Sequence, residues 1–173
     1  KVLIMSVLAP PFEIDEIITA IKNEIQTANV TDLGTPRFTI ETVDVALTVV
    51  STETEKGGLA VKIMGFSDAL DDNLSGPPSY HKLSYSFRPI AASGISPDIS
   101  MGLIEPITRV KASFRKACNT LPGLQMDGFT FKLEFALVQT LDGAIHFRIL
   151  ELDDMKARNI STHRVTLHVK IAN

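Results

Sequence analysis

The sequence predicts an α+β fold: a duplicated α-β-β-β unit that builds an antiparallel sheet of about six strands, with two amphipathic helices packed on it around a pseudo-twofold. Two stretches place apolar residues at helical steps of 4, 3, 4, 3. Six further stretches alternate apolar and polar residues with the period of a strand. Both sets occur in the same order twice along the chain.

The first helix is expected over residues 12–29, with Ile14, Ile18, Ile21, Ile25 and Ala28 on one stripe. Pro10 and Pro11 precede it, where proline is tolerated. Glu13, Asp15 and Glu16 favour the positive end of its dipole. The segment Asp32-Leu33-Gly34-Thr35-Pro36 carries stop chemistry. A strand over 37–50 follows, and the three-residue step from Ile40 to Val43 predicts a bulge. Residues 51–58 read as a turn, 59–66 as a second strand and 67–79 as a polar Gly-Pro-rich loop. Leu83, Tyr85 and Phe87 alternate through a third strand over 80–88, which Pro89 ends.

After a linker over 90–99 the order recurs. A second helix runs to about Asn119 with Leu103, Ile107, Val110, Phe114 and Ala117 as its stripe and Pro106 in its first turn or at a kink. Strands are expected over 129–138, 143–152 and 162–171, with a shorter loop over 153–161.

The halves overlay element by element. Ile18-Thr19-Ala20-Ile21-Lys22 matches Ile107-Thr108-Arg109-Val110-Lys111, and Phe38-Thr39-Ile40 matches Phe129-Thr130-Phe131. Leu59-Ala60-Val61-Lys62-Ile63 matches Ile145-His146-Phe147-Arg148-Ile149, and His81-Lys82-Leu83 matches His163-Arg164-Val165. The offsets are 89, 91, 86 and 82, changing only in loops. The chain therefore divides into an N-terminal extension (1–11), a first repeat (12–89), a linker (90–99) and a second repeat (100–173), both repeats packed as one globular domain. One helix on three strands buries little core, so the two units are expected to complete each other. Glu13, Asp15, Glu16 and Glu24 make the first helix acidic, whereas Arg109, Lys111, Arg115 and Lys116 make the second basic. Side by side, their flanks would attract, although two solvated faces explain the same pattern.

Composition excludes several classes. The net charge of −3 arises from a first part with 7 basic and 12 acidic residues (1–90) and a second with 10 and 8 (91–173), without a basic run. Nucleic-acid binding is disfavoured, because phosphate neutralisation needs clustered Lys and Arg. No apolar run is long enough for a membrane helix, and residues 1–8 are too short a core for a signal peptide. A lone Cys118 rules out an internal disulfide and fits a reducing, cytoplasmic setting.

Each half resembles the small trypsin-co-occurring domain of prokaryotic conflict and signalling systems. The resemblance rests on an amphipathic helix, a Phe-led alternating strand, a strand opening with glycine and a His-Arg pair before the last strand. The second half carries Phe129, Gly143 to Phe147, and Thr162-His163-Arg164-Val165-Thr166-Leu167. The first carries Phe38, Val43-Asp44-Val45-Ala46-Leu47, Gly58 and His81-Lys82-Leu83, departing in Lys82 and in its long 67–79 loop. The resemblance implies a non-enzymatic adaptor beside a protease or effector. Fusion of two copies departs from the family pattern and suggests a self-contained pseudo-dimer.

Few residues point to chemistry. His81, Lys82, His163 and Arg164 stand at equivalent strand starts and are the candidate partner or anion contacts. The alternative is strand-edge capping, or an Arg164 bridge to Asp153 or Asp154. His146 and His168 should point away from the apolar face, and no metal-ligand set or cofactor motif is visible. Cys118 reads as core packing beside Ala117, and Asp68, Asp71 and Asp72 as solvated loop acids. Asn29, Asn73 and Asn159 begin Asn-x-Ser/Thr triplets, which matter only in a secreted chain. No Gly-x-Ser-x-Gly elbow is present, so a hydrolase ranks last. The leading expectation is an interaction or scaffold protein that oligomerises or binds a protein partner through sheet edges or the helix faces. The second is a small-ligand binder using a Phe- and Met-lined cleft between the repeats.

Overall fold

The structure is a computed structural model that describes residues 12–30, 34–65, 80–90, 102–123, 125–140, 143–150 and 162–172. The chain runs α1 (Ile14–Val30), β1 (Arg37–Glu53), β2 (Leu59–Ile63), β3 (Tyr80–Phe87), α2 (Ile104–Cys118), β4 (Gly128–Gln139), β5 (Ile145–Ile149) and β6 (His163–Ala172). All six strands join one antiparallel sheet, so the α+β class holds. The extension 1–11, the loop 67–79, the linker 91–99 and the loop 153–161 lie outside the described residues.

Shared registers give the strand order. Val49 and Val50 pair with both β2 and β3, and residues 43–46 pair with both β3 and β6. A strand has two edges, so β3 takes one edge of β1, and β6 and β2 share the other end to end. Phe135 likewise pairs with Ile149 of β5 and His163 of β6, which places them on opposite edges of β4. The sheet therefore reads β3-β1-β6-β4-β5, with β2 continuing along β1 past the start of β6.

Hydrophobic alternation sets which face is buried. The register shift between Ile40 and Thr42 is the bulge that the sequence spacing predicts, and it keeps Phe38, Ile40, Val43, Val45, Leu47 and Val49 on one buried face. The odd residues of β6 from His163 to Ile171 line the same core. Phe38, Phe135 and Phe147 are fully buried, each worth ~2–3 kcal/mol by apolar transfer. The exposed Arg109–Glu105 pair on α2 contributes at most about 1 kcal/mol, so the core dominates.

The helices cover this face and touch each other. On α1 the buried set is Ile17, Ala20, Ile21, Glu24, Ile25 and Ala28, a wider band than the expected stripe, while Ile14 and Ile18 are only half-buried. Contact with both the sheet and α2 explains the width. On α2 the expectation for Ala117 is corrected. Ala117 is exposed, and Leu103, Ile107 and Lys111 are buried, with Phe114 and Cys118 half-buried. Pro106 lies in the first turn of α2. Lys111 Nζ donates to the Ala28 carbonyl at 3.0 Å, placing a cation at the negative end of α1. Arg115 donates to the Pro36 carbonyl at 3.1 Å and lies 4.4 Å over the Phe38 ring. The basic side of α2 thus binds the α1–β1 connection through carbonyls and a ring face.

The two halves carry the same internal ladder. Val49 faces Ile63 and His81, and Phe135 faces Ile149 and His163. Both hairpin turns are built alike. Thr54 N–H donates to Gly58 O and Gly57 N–H to Thr54 O, while Thr140 N–H donates to Ala144 O and Gly143 N–H to Thr140 O. The threonine hydroxyl accepts from the Gly58 amide in one turn and the Ala144 amide in the other. Gly57 and Gly143 have φ of 77° and 85°, a region that favours glycine. Every one of these correspondences has an offset of 86 within the hairpins. The ladders give a different alignment from the match of Phe38 to Phe129: Val43 faces Phe87 as Phe129 faces Val169. Apolar alternation repeats every two residues and leaves such slips undetected.

Candidate functional site

The direction of backbone groups along β1 and β4 defines two edges that no described strand covers. Thr48 O accepts from Met64 N–H at 3.0 Å, so the even residues around Thr48 address the β2/β6 side and the odd ones address β3. On β3 the partners of those odd residues are His81, Leu83, Tyr85 and Phe87. The amides and carbonyls of Lys82, Ser84 and Ser86 therefore point outward. Leu150 N–H donates to Glu134 O, which by the same logic turns Gly128, Thr130 and Lys132 of β4 away from β6. Among the described residues no strand pairs with either edge.

The core is thin at both edges. Leu83, Tyr85 and Phe87 on β3, and Phe129 and Phe131 on β4, are only half-buried, whereas Val165, Leu167 and Val169 of β6 are buried. The hydroxyl of Tyr85 is buried with no hydrogen-bond partner among the described residues, and burial pushes that phenol up from its usual range.

The sequence-derived candidates separate into different environments. His81 and Lys82 are exposed on β3, and Lys82 Nζ donates to Thr48 Oγ1 at 2.6 Å. His163 is 1% exposed. Its Nδ1 accepts from the Thr48 amide at 3.0 Å, and its Nε2 faces Met64 O at 2.9 Å. Those partners define the Nε2–H tautomer, with Nε2 donating to the carbonyl. The ring fills the point on β1 where β6 begins and β2 ends, and burial lowers its pKa to about 4. Both ring nitrogens are thus used inside the chain. Arg164 is exposed and binds Glu134 Oε1 through Nε at 2.9 Å and Nη2 at 2.6 Å. The expected partners Asp153 and Asp154 lie outside the described residues, and the acid found is a cross-strand neighbour on β4.

A polar row that the sequence did not single out crosses four strands on the opposite face. Ser86 Oγ donates to Asp44 Oδ1 at 2.5 Å, Asp44 Oδ2 meets His168 Nε2 at 2.7 Å, and His168 Nδ1 lies 3.3 Å from Thr130 Oγ1. The hydrogen bonds from Ser86 and His168 hold the Asp44 carboxyl below its usual range. A serine bonded to the acid and not to the imidazole is not activated as a nucleophile. Thr130 and Asp44 flank His168 in the right order, but the row is open to solvent, and Thr130 and Ser86 are direct register partners of His168 and Asp44. It reads as a cross-strand clasp.

A recess of about 400 Å³ beside this row is lined by residues including Ser84, Ser86, Arg164 and Thr166. Another of about 510 Å³, at the end of α2, is lined by residues including Lys116, Leu121, Pro122 and Met126. Among the described residues no phenylalanine lines either. Among the described residues no group of three or more His, Cys, Asp or Glu could hold a metal. Cys118 is half-buried with Sγ 3.7 Å from Met126 Sδ. Asn29 Oδ1 accepts from the Ile40 amide at 2.9 Å and ties α1 to β1. Asp68, Asp71, Asp72, Asn73 and Asn159 lie outside the described residues. No described helix is long and apolar enough to cross a membrane.

Compared with known proteins, the chain matches no family model, no curated protein and no solved structure.

Proposed function

We propose that this chain is a non-enzymatic interaction protein that engages a protein partner by adding a strand to an open sheet edge. The observation that carries the reading is the pair of edges on β3 and β4 that no described strand covers, each with half-covered apolar side chains behind it. Backbone groups at an edge supply affinity, and alternate side chains supply selectivity. The repeated hairpin with its 86-residue offset supports a tandem duplication, in which β1 of one unit and β6 of the other already join by this kind of pairing. The resemblance to the trypsin-co-occurring domain points the same way, toward an adaptor beside a protease or effector in a cytoplasmic conflict or signalling system.

The test is capture of partners from the native host by the wild-type chain and by Ser84→Pro and Lys132→Pro. Each proline removes one outward amide and leaves the inner ladder intact. The reading expects at least one bound protein, a second copy included, to be lost on one of these substitutions while circular dichroism is unchanged. Equal capture by all three chains, or a wild type with no partner at all, overturns it.

A further inference from the structure

We infer that the partner of these edges is a second copy of this chain, joined head to tail with β3 of one copy against β4 of the next. The inference rests on the edge-addition reading and names its partner. The molecule contains its own template for the joint. In the β1·β6 ladder, Thr42 faces His168, Asp44 faces Thr166 and Ala46 faces Arg164. The equivalent of β1 in the second half is β4, and the equivalent of β6 in the first half is β3, by the internal registers. Carrying the ladder across with those offsets pairs Gly128 with Ser86, Thr130 with Ser84 and Lys132 with Lys82. These six residues are the ones whose backbone groups point outward on the open edges.

The side chains that this register brings together fit the core face. Phe129 meets Tyr85, and Phe131 meets Leu83, all four half-buried in the single chain. Their counterparts across the internal joint are Val43 with Leu167 and Val45 with Val165, all buried. The same pairing therefore covers the apolar surface that the isolated chain leaves open.

Two further features shape the assembly. The edges are different from each other, so the joint is heterologous and propagates or closes into a ring. A single chain closing on itself would form a barrel of four strands, β3-β1-β6-β4, too narrow to hold its side chains. The register also sets Lys132 directly opposite Lys82, a like-charge pair that weakens the joint. Lysine on an edge strand is a known guard against uncontrolled pairing. Association is therefore weak at low salt and strengthens as salt screens the pair.

The experiment uses sedimentation velocity on the full chain at up to about 1 mM, a range in which weak pairing is populated. Wild type is expected to associate with concentration. Ser84→Pro alone and Lys132→Pro alone are expected to remain monomeric, since each lacks one of the two edges. A mixture of the two is expected to form a 1:1 dimer through the edges left intact and nothing larger. Lys132→Glu, which keeps its amide, is expected to tighten association roughly threefold to fivefold by facing Lys82 with an acid. That variant and a thermal melt keep the test open if a proline impairs folding. Dimerisation of either proline variant alone, or a monomeric wild type and monomeric Lys132→Glu at all salt concentrations, overturns the head-to-tail joint. If the chain does not self-associate but a host protein is captured by the wild type and lost on Ser84→Pro, self-pairing fails and the edge-addition reading stands.

Discussion

β3 and β6 each lie beside a long strand that carries a shorter hairpin partner on its other edge, and they differ in what lies on their own second edge. Each pairs along a long strand, and each carries a histidine in its first two residues, His81 facing Val49 and His163 facing Phe135. β6 has β1 on its second edge, whereas β3 has no strand there among the described residues. His163 is buried and bonded through both nitrogens, and His81 is exposed. Leu167 is buried, and Tyr85, at the matching register position, is half-buried with a hydroxyl that has no partner among the described residues. The environment of such a position thus depends on what lies across the strand's outer edge, and residue type alone does not predict it.

The largest effect expected from this comparison is at the histidines. His163→Ala leaves the Thr48 amide and the Met64 carbonyl without their partner and is expected to cost about 3 kcal/mol in urea unfolding, by the usual cost of buried unsatisfied groups. His81→Ala is expected to change stability by less than about 0.5 kcal/mol. Equal costs would break the comparison. Next is pH. The His163 pKa is lowered in the folded state, so its stabilisation is complete above the unfolded value of 6.5 and is lost as pH falls from there toward 4. The loss over that window is expected to total about 3 kcal/mol, and His163→Gln should flatten it. Asp44 titrates lower. Its depressed pKa contributes stability above 3.8 that is lost as pH falls further, and its exposure makes that contribution small. Third are the turns. Gly57→Ala and Gly143→Ala each force a Cβ into a positive φ and should destabilise by about 1 kcal/mol, to the same extent if the two hairpins are equivalent. The smallest is Tyr85→Phe, which removes a buried unpaired hydroxyl and is expected to leave stability unchanged or raise it by up to about 1 kcal/mol.

Much of the architecture was legible in the chain, because periodicity reports which side of an element is apolar. The bulge after Ile40, the strand alternation and both helices follow from it. Register was less legible. The slip of Phe38 onto Phe129 preserved the alternation, and the better marker was the polar turn, Thr54-x-x-Gly57 against Thr140-x-x-Gly143. A turn motif is tied to one backbone conformation, whereas a Phe-Thr-Ile run fits any register of the right parity. The burial of Lys111 in place of Ala117 was hidden because its partner is a main-chain carbonyl of the other helix. The Asp44–His168 clasp joins residues 124 positions apart, which only the sheet brings together. Sheet edges were expected as a contact surface, but which strands hold them was the least legible of all, since strand order decides it and no local pattern encodes strand order.

The most direct measurement is residue-resolved amide exchange on outward-facing amides of the two third strands. In dilute protein Thr166 and His168 should be protected by their ladder with β1, while Ser84 and Ser86 exchange rapidly. Raising the protein concentration should slow Ser84 and Ser86, together with Thr130 and Lys132 on β4, and leave Thr166 and His168 unchanged. Protection of Ser84 and Ser86 that already equals that of Thr166 in dilute protein would mean the β3 edge is covered within one chain, contradicting the account.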